Sequence, residues 1–164
     1  ATKQAFESLI EYYVQAEEFR VITLTLFDTY GENDNRPKLI NLLNKLADEK
    51  TELKMSPGEQ PLSLVHIEDV CNAFFTAYKS FVDLNKNTHK KYFVKNKEVY
   101  TLRQVIHIFE KVSNKKLLID WGGRKYRKRE VMEVSNSGEV LPNWDAKITL
   151  IEGLKRYTIN HANN

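Results

Sequence analysis

The chain has 164 residues, of which 41% are hydrophobic and 29% charged, and its formal net charge at pH 7 is +3. No apolar run approaches the roughly 20 residues that cross a bilayer, and so small a net charge does not by itself indicate nucleic-acid binding. Cys71 is the only cysteine, so an internal disulfide is excluded and a reducing, cytoplasmic location is favoured. It lies in an apolar helical stretch, where we predict a small buried side chain.

Helical and strand-like patterns alternate along the whole chain. Apolar residues recur at helical spacing in five segments, and short runs rich in β-branched or aromatic residues lie between them. Two capping boxes, at 101–104 and 149–152, mark the starts of the last two helices. This order is typical of an α/β protein. The predicted elements are a helix at about 3–18, a strand at 20–27, a polar loop at 28–35, a helix at 37–49, extended pieces at 52–55 and 62–67, a helix at 68–83, a loop at 85–91, a strand at 92–94, a helix at about 101–112, a strand at 117–121, an irregular stretch at 122–145 and a helix at 149–160.

The first candidate site lies at Asp28, where the first strand ends. The polar residues 28–35 follow, and Pro37 then opens the next helix. In an α/β protein, ligands commonly bind beside the carboxyl ends of strands. A capped turn explains the same residues, because Asn35 is a good helix N-cap, so both interpretations stay open at this point.

The most basic run is at residues 124–129, Arg-Lys-Tyr-Arg-Lys-Arg. Five cations around Tyr126 can bind a nucleic-acid backbone, or they can hold a single diphosphate through a bidentate arginine. A solvated basic loop is an equally good interpretation. The residues alone therefore leave all three interpretations open.

The glycines, the histidines and Lys3 do not, by their pattern alone, indicate a binding or catalytic site. The six glycines form neither GxGxxG nor GxxxxGK[ST], so this chain contains no nucleotide-phosphate loop. The four histidines show no metal-ligand spacing, and His66 is interpreted as a hydrogen-bonded structural residue. Lys3, by residue pattern alone, is an exposed lysine at the start of the first helix.

Three segments, in the right order, resemble one family. TYGENDNR after the first strand resembles the N-x-Y-G-P segment of extended short-chain dehydrogenase/reductases, the NAD-dependent epimerase/dehydratase family that acts on nucleotide sugars. LSLVHIEDVCNAF resembles the V-H-V-x-D-V segment of that family, and LPNWDAKITLIEGLKR resembles its closing segment. Within the family, LFDTYGENDNRPKLINLL, MSPGEQ and KYRKREVM are most similar to the group of CDP-abequose and CDP-paratose synthases.

The resemblance implies an architecture and a reaction. The chain would be the C-terminal part of a Rossmann-type α/β enzyme, with residues 1–50 as the terminal strand-helix portion of the Rossmann domain and 51–164 as the substrate-binding subdomain. The half that binds NAD(P)H would lie outside the chain. The whole enzyme would transfer a hydride to C4 of a CDP-linked keto-dideoxyhexose in surface-polysaccharide biosynthesis. This chain alone would be inactive and would not bind the cofactor.

The resemblance also assigns roles to single residues, and it implies no metal. Lys3 would be the catalytic lysine that binds the nicotinamide ribose and lowers the pKa of a tyrosine outside this chain. Asp28 would face the substrate where many members of the family have an asparagine, and Arg127 would bind the diphosphate. The remaining predicted substrate contacts are Tyr30, Lys38 and Asn41.

Two alternatives and one expectation about assembly remain. One alternative is a nucleotide-sugar 4-epimerase or 4,6-dehydratase of the same family, although Leu62 stands where such epimerases often have an arginine. The other is a non-catalytic nucleic-acid-binding module that uses the basic loop at 124–129.

We expect a homodimer and no membrane partner, with the apolar face of the first helix exposed and available for self-association. That face consists of Phe6, Leu9, Ile10 and Tyr13.

Overall fold

The structure, a computed structural model, describes residues 2–34, 36–135 and 138–162. Within these residues the chain forms five helices and eight short strands, and the predicted α/β alternation is confirmed. None of the described helices is long and apolar enough to cross a membrane. The elements are α1 (Thr2–Ala16), β1 (Arg20–Leu26), β2 (Asp28–Tyr30), α2 (Leu39–Glu49), β3 (Leu53–Met55), β4 (Pro61–Leu62), β5 (Leu64–His66), α3 (Ile67–Val82), β6 (Thr88–Val94), β7 (Tyr100–Thr101), α4 (Leu102–Ser113), β8 (Ile119–Trp121) and α5 (Leu150–Ala162).

Strands β1 and β6 form the longest pair, which is parallel over seven residues. The chain then continues through Phe27 into β2, which leaves β6 and pairs in parallel with β5, with Asp28 opposite Leu64. Strand β3 pairs in parallel with β8, and β4 pairs in antiparallel with β7. The change of partner at Phe27 moves the chain from β6 to β5 and places Asp28 beside Leu64.

Helices cover both faces of the β1–β6 pair. On one face, α1 approaches β6 at His89, whose Nδ1 lies 2.8 Å from a carboxylate oxygen of Glu11. On the other face, Val70 and Ala73 of α3 belong to one apolar cluster with Tyr92 of β6. Successive side chains of a strand point to opposite faces of the sheet, which explains why β6 contacts both helices.

Two apolar clusters form the core. The larger lies between α2, α4 and α5, where Leu43, Phe109 and Leu154 are fully buried. The second lies between α3 and β6 and contains Val65 and Val94, which are also fully buried. The larger cluster contains residues from both parts of the predicted two-part division, which stays a prediction.

Two segments that were predicted as loop are strands. Residues 28–30 form β2, and residues 88–91 form the first half of β6. In both places, backbone hydrogen bonds to a neighbouring strand outweigh a polar local composition. The prediction of a loop throughout 28–35 and 85–91 is therefore wrong for these residues.

The outer face of α3 is exposed, so the prediction that Cys71 is buried is wrong. Cys71 is exposed, and Phe74 and Tyr78 are 55% and 65% exposed. The helix packs instead through a narrower stripe of small residues, among them Ala73 and Ala77, on its opposite side. Apolar residues lie on both the buried and the exposed side of this helix, so their spacing did not indicate which side faces the core.

Gly153 lets α5 approach β2 closely. A Cβ atom at this position would overlap the hydroxyl oxygen of Tyr30 and would lie 2.8 Å from two of its ring carbons. Tyr30 is 4% exposed, so its ring has little room to move aside. Gly153 is therefore a packing residue between α5 and β2.

We expect Gly153→Ala to lower the free energy of unfolding by about 2 kcal/mol, which is typical of an overpacked core. The double variant Gly153→Ala with Tyr30→Phe should recover part of the loss, because it removes the overlapping hydroxyl. Urea denaturation followed by circular dichroism measures both effects. An alanine variant as stable as the unchanged chain would contradict the close packing of α5 on β2.

Candidate functional site

A cavity of about 640 Å³, called the β1 cavity below, lies beside the carboxyl end of β1. One wall is the junction of β1 and β2 with the start of α2, a second is β3, β4 and the turn between them, and a third is the irregular segment after β8. Three stretches that are distant in sequence meet at one concave surface, which is the usual setting for a ligand site. The polar lining residues used below are Asp28, Lys54, Ser56, Gln60, Arg124, Lys125, Arg127, Glu130 and Glu133.

Four cations line the β1 cavity: Lys54 of β3, and Arg124, Lys125 and Arg127 of the basic run. All four residues are exposed, and their side chains have no hydrogen-bond or ion-pair partner within the described residues. The backbone beneath them is held in place, since the Arg124 amide donates to the Met55 carbonyl at 3.0 Å. The main chain is thus fixed while the cationic groups are available to an anion.

Only part of the basic run lines the cavity. Tyr126 anchors the run, because its hydroxyl accepts a hydrogen bond from the Glu59 amide at 3.1 Å. Lys128 and Arg129 are exposed and are not among the lining residues. Four cations gathered on a concave surface favour a single small anion over the extended backbone of a nucleic acid.

Asp28 is the first residue of β2 and lines the β1 cavity. Its carboxylate has no hydrogen-bond or ion-pair partner in the described part of the chain. Although the residue is exposed, the surrounding concave wall desolvates the carboxylate and raises its pKa, and the charge of Lys38 partly opposes this effect. No group of three or more His, Cys, Asp or Glu residues in the described ranges could hold a metal ion.

The raised pKa of Asp28 predicts a pH-dependent loss of stability. Because the folded chain holds this proton more tightly than the unfolded chain, the contribution of Asp28 to stability falls as the pH rises above about 4, the ordinary pKa of an aspartate. We therefore expect Asp28→Asn to raise the thermal unfolding midpoint slightly at pH 7 and to leave it unchanged at pH 3. Calorimetry of both chains measures this. If the variant and the unchanged chain had the same unfolding midpoint at pH 7 as well as at pH 3, the carboxylate of Asp28 would not be desolvated.

The other predicted substrate contacts lie outside the lining of the β1 cavity. Lys38 is exposed and donates to the Thr29 hydroxyl at 3.1 Å. Asn41 donates to two carbonyls of the loop after β2 and accepts from the Tyr157 hydroxyl at 2.7 Å. Tyr30 is buried, and its hydroxyl has no hydrogen-bond partner among the described residues. The predicted substrate contacts of Tyr30, Lys38 and Asn41 stay predictions.

Lys3 lies on the first turn of α1 and does not line the β1 cavity. It is exposed, and its ammonium has no ion-pair partner among the residues that the structure describes. The ammonium is therefore available to a ligand. Its predicted catalytic role depends on a tyrosine outside this sequence and stays a prediction.

His66 connects β2, β5 and α3. It is fully buried, and its Nδ1 accepts a hydrogen bond from the Glu68 amide at 3.3 Å, which caps α3. Its ring meets the ring of Tyr30 edge to face at 5.3 Å. Its Nε2 lies 3.2 Å from a carboxylate oxygen of Glu32, although the two are not aligned for a hydrogen bond. The interpretation of His66 as a hydrogen-bonded structural residue is confirmed.

Asp69 ties α3 to the segment before α5. It is 2% exposed, and its Oδ2 accepts hydrogen bonds from the amides of Lys147 and Ile148 at 3.0 and 2.9 Å. The indole of Trp144 donates to the Asp69 carbonyl at 3.0 Å. Asp69 is therefore a structural residue that positions the final helix.

The turn between β3 and β4 contains the MSPGEQ segment noted above, but no sequence pattern predicted that this turn forms a wall of the cavity. Ser56 and Gln60 line the β1 cavity and are hydrogen-bonded to each other at 3.0 Å. Leu62, noted above for the arginine it replaces, also lines the cavity. Pro57 followed by Gly58 is typical of a turn, but only the tertiary pairing of β3 with β8 brings the turn next to the basic run.

Solved structures with a similar fold are Rossmann-type α/β enzymes. The chain is similar to UDP-glucuronic acid 4-epimerase from Bacillus cereus in complex with UDP-glucuronic acid and NAD, with a TM-score of 0.82 and 19% identity over 99% of this chain and 51% of that one. It is also similar to UDP-glucose 4-epimerase from Thermotoga maritima with UDP-glucose, with a TM-score of 0.76 and 16% identity over 98% of this chain and 52% of that one. At these identities the likeness shows the fold alone.

The family follows from the sequence. Residues 1–92 match the NAD dependent epimerase/dehydratase family, and the chain belongs to that family. CDP-abequose synthase from Yersinia pseudotuberculosis is 29% identical over 132 residues, which cover 79% of this chain and 44% of that protein. CDP-abequose synthase from Salmonella muenchen is 24% identical over 159 residues, which cover 95% of this chain and 53% of that protein. The chain spans about half the length of these curated relatives, and the family resemblance seen in the three motifs is confirmed.

The family implies a nicotinamide cofactor, and one residue considered for it is Lys3. Its ammonium is exposed, has no partner among the described residues and can donate a hydrogen bond to a ribose hydroxyl. The six glycines form no loop that could cradle a pyrophosphate. The phosphate contacts of the cofactor therefore do not come from a glycine-rich loop of this chain.

Proposed function

We propose that this chain forms the substrate-binding part of a nucleotide-sugar reductase that transfers a hydride to C4 of a CDP-linked keto-dideoxyhexose. The observation that carries the proposal is the β1 cavity, where Asp28, Arg124 and Arg127 share one concave surface and are all unpaired within the described residues. Family membership supports a nucleotide-sugar enzyme, and the similarity to CDP-abequose synthases supports this substrate.

The two arginines suit the diphosphate of such a substrate. A guanidinium holds two phosphate oxygens through parallel N–H donors, and it keeps its charge throughout the physiological pH range. Arg124 and Arg127 project from one segment whose backbone is fixed to β3 through Met55. We assign them to the diphosphate, with the nucleoside and the sugar extending to the other walls.

Asp28 and the apolar wall suit the sugar. The carboxylate of Asp28 can accept hydrogen bonds from sugar hydroxyls. Leu26, Leu39 and Leu62 line the same cavity and reduce the access of water to the reacting carbon. A bound nicotinamide cofactor supplies the hydride. Lys3 is assigned to the ribose of that cofactor, where its charge favours the ionised form of the tyrosine acid.

Product analysis of the whole enzyme tests the choice of reaction. With CDP-4-keto-3,6-dideoxyglucose and NADPH, a reductase consumes one NADPH for each sugar that becomes a C4 alcohol. A 4-epimerase interconverts two sugars with no net change in NADPH, and a 4,6-dehydratase releases water from its substrate. Both alternatives need a hydroxyl at C4 of the sugar, so CDP-glucose and UDP-glucose are tested in parallel. Epimerisation of these sugars or loss of water from them, with no NADPH-dependent reduction of the keto sugar, would contradict the reductase and favour the corresponding alternative.

We further propose that the 164-residue chain alone is inactive and binds the cofactor weakly. Lys3 is the single cofactor contact assigned to it, and one charged contact contributes only about 1–3 kcal/mol. Calorimetric titration with NADPH checks this directly. Tight binding, at micromolar or lower dissociation constants, would contradict the assignment of the cofactor site to residues outside this chain.

We also propose a dimer contact on α1. Three of the four residues predicted for its exposed apolar face are exposed, with Phe6 at 63%, Leu9 at 52% and Tyr13 at 42%, and Ile10 is half-buried. Sedimentation velocity at increasing concentration should show a dimer, because burying this face removes apolar surface from water. Leu9→Glu should shift the chain toward monomer. A monomer at all concentrations for the unchanged chain would contradict this contact.

A further inference from the structure

We propose that Asp28 makes the β1 cavity selective for nucleotide sugars whose hexose is uncharged, and that it discriminates against hexoses carrying a carboxylate. The inference rests on the proposed function and adds the charge class of the sugar to it. It follows from where the charges of the cavity lie and from which of them are already paired.

The charges of the β1 cavity lie on three walls. Arg124, Lys125 and Arg127 come from the irregular segment after β8, Lys54 comes from β3, and Asp28 comes from the junction of β1 and β2. A nucleotide sugar whose diphosphate contacts the basic segment extends from it toward the other walls of the cavity. Asp28 is the carboxylate on the wall formed by the β1–β2 junction, so we place it next to the sugar.

The charge of Asp28 is not neutralised by a neighbour. Lys38 is the cation whose charge acts on Asp28. Its ammonium donates to the hydroxyl and carbonyl of Thr29, and it forms no ion pair with Asp28. The other two lining carboxylates belong to the basic segment. One of them, Glu130, accepts a hydrogen bond from the Arg127 amide at 3.2 Å, and Glu133 is exposed. Asp28 is therefore the unpaired negative charge on its own wall of the cavity.

An unpaired carboxylate in a concave, partly desolvated wall acts differently on two kinds of sugar. A hydroxyl donates to it, which replaces the hydrogen bonds that both groups lose to water. A second carboxylate is repelled, and the repulsion is stronger than in bulk water because the wall lowers the local dielectric constant. Placing like charges against each other is a common means of rejecting the wrong ligand.

A matched pair of ligands tests the inference. CDP-glucose and CDP-glucuronic acid share the nucleotide, the diphosphate and the ring, and they differ in the carboxylate at C6. We expect the unchanged chain to bind CDP-glucose at least about tenfold more tightly by calorimetry at pH 7 and low salt. Asp28→Asn keeps the shape and removes the charge, and it should reduce this preference to less than about threefold. Glu17→Gln removes the same charge from an exposed position outside the β1 cavity and should leave the preference unchanged.

The outcomes separate this inference from the proposed function. If neither ligand binds the unchanged chain, the proposed function fails and the inference fails with it. If both bind and the preference is absent, or if it survives in Asp28→Asn, the inference alone is overturned. A preference that Glu17→Gln abolishes as fully as Asp28→Asn would show that net charge decides it, and this result also overturns the role of Asp28.

Discussion

Replacing Arg127 with alanine is expected to weaken binding of CDP by about 30-fold, because a charge-assisted hydrogen bond to phosphate contributes about 2 kcal/mol. The side chain lines the β1 cavity and has no partner among the described residues, so its removal leaves no unpaired group behind in the protein. The loss should therefore appear in ligand affinity and not in stability. Isothermal titration calorimetry at fixed ionic strength measures the affinity, and thermal denaturation measures the stability.

Lys128→Ala is the matched control for this prediction. Lys128 is adjacent in sequence and exposed, but it does not line the β1 cavity. Its removal lowers the net positive charge by the same amount and should change CDP affinity less than about threefold, an effect of weakened long-range attraction only. Equal losses in the two variants would indicate a diffuse basic surface, as in a nucleic-acid-binding loop, and would count against a defined diphosphate site.

Replacing Asp69 with alanine is expected to cost about 3 kcal/mol of folding free energy, the largest stability effect predicted for this chain. The alanine leaves the amides of Lys147 and Ile148 without their acceptor, and the Ile148 amide is buried. Segment 144–148 would then lose its attachment to α3, although the Trp144 indole would still reach the backbone carbonyl of residue 69. Urea denaturation monitored by circular dichroism gives the free-energy difference.

Asp69→Asn distinguishes the hydrogen bonds from the charge. The amide oxygen of asparagine can accept from both backbone N–H groups, so we expect this variant to lose only about 1 kcal/mol. Comparable losses in the asparagine and alanine variants would mean that the negative charge itself, and not the two acceptor contacts, stabilises the segment. A neutral alanine variant would contradict the structural role of Asp69 altogether.

Local sequence patterns predicted the bounds of an element correctly where one signal dominates the segment. The β-branched run in Arg20–Leu26 predicted β1 to within a residue, because alternating and continuous apolar residues favour a strand over a loop. The capping box of Thr101 and Gln104 predicted the start of α4, and both of its hydrogen bonds are present. The irregular stretch after Trp121 also remains free of helix within its described residues.

Local sequence patterns did not predict which distant segments pair with each other as strands. Residues 28–30 look like a loop by composition, and they become a strand because β5 supplies hydrogen-bond partners from another part of the chain. The same holds for the lysines at the start of β6, which pair with β1. Strand formation of this kind depends on the neighbour and not on the residues themselves.

The candidate site was predictable in its residue types and not in its shape. The sequence motifs singled out Asp28 and Arg127, and the structure brings both to the β1 cavity. Tyr30 and Asn41 were singled out by the same motifs, but the first is buried and the second is hydrogen-bonded to Tyr157. Which polar residue of a motif faces a cavity is decided by the packing of α5 and β5 around it, which no single segment encodes.

A titration of the ¹⁵N-labelled chain with CDP-glucose, followed by amide chemical shifts, tests directly whether the β1 cavity binds a nucleotide sugar. If the β1 cavity binds a nucleotide sugar, saturable shift changes should cluster at Asp28, Leu62, Arg124 and Arg127, while the outer face of α3 around Phe74 stays unchanged. The same titration with glucose alone should leave all of these amides unchanged, since it lacks the diphosphate. Shift changes that do not saturate, or that lie away from the β1 cavity, would contradict a nucleotide-sugar site in this cavity.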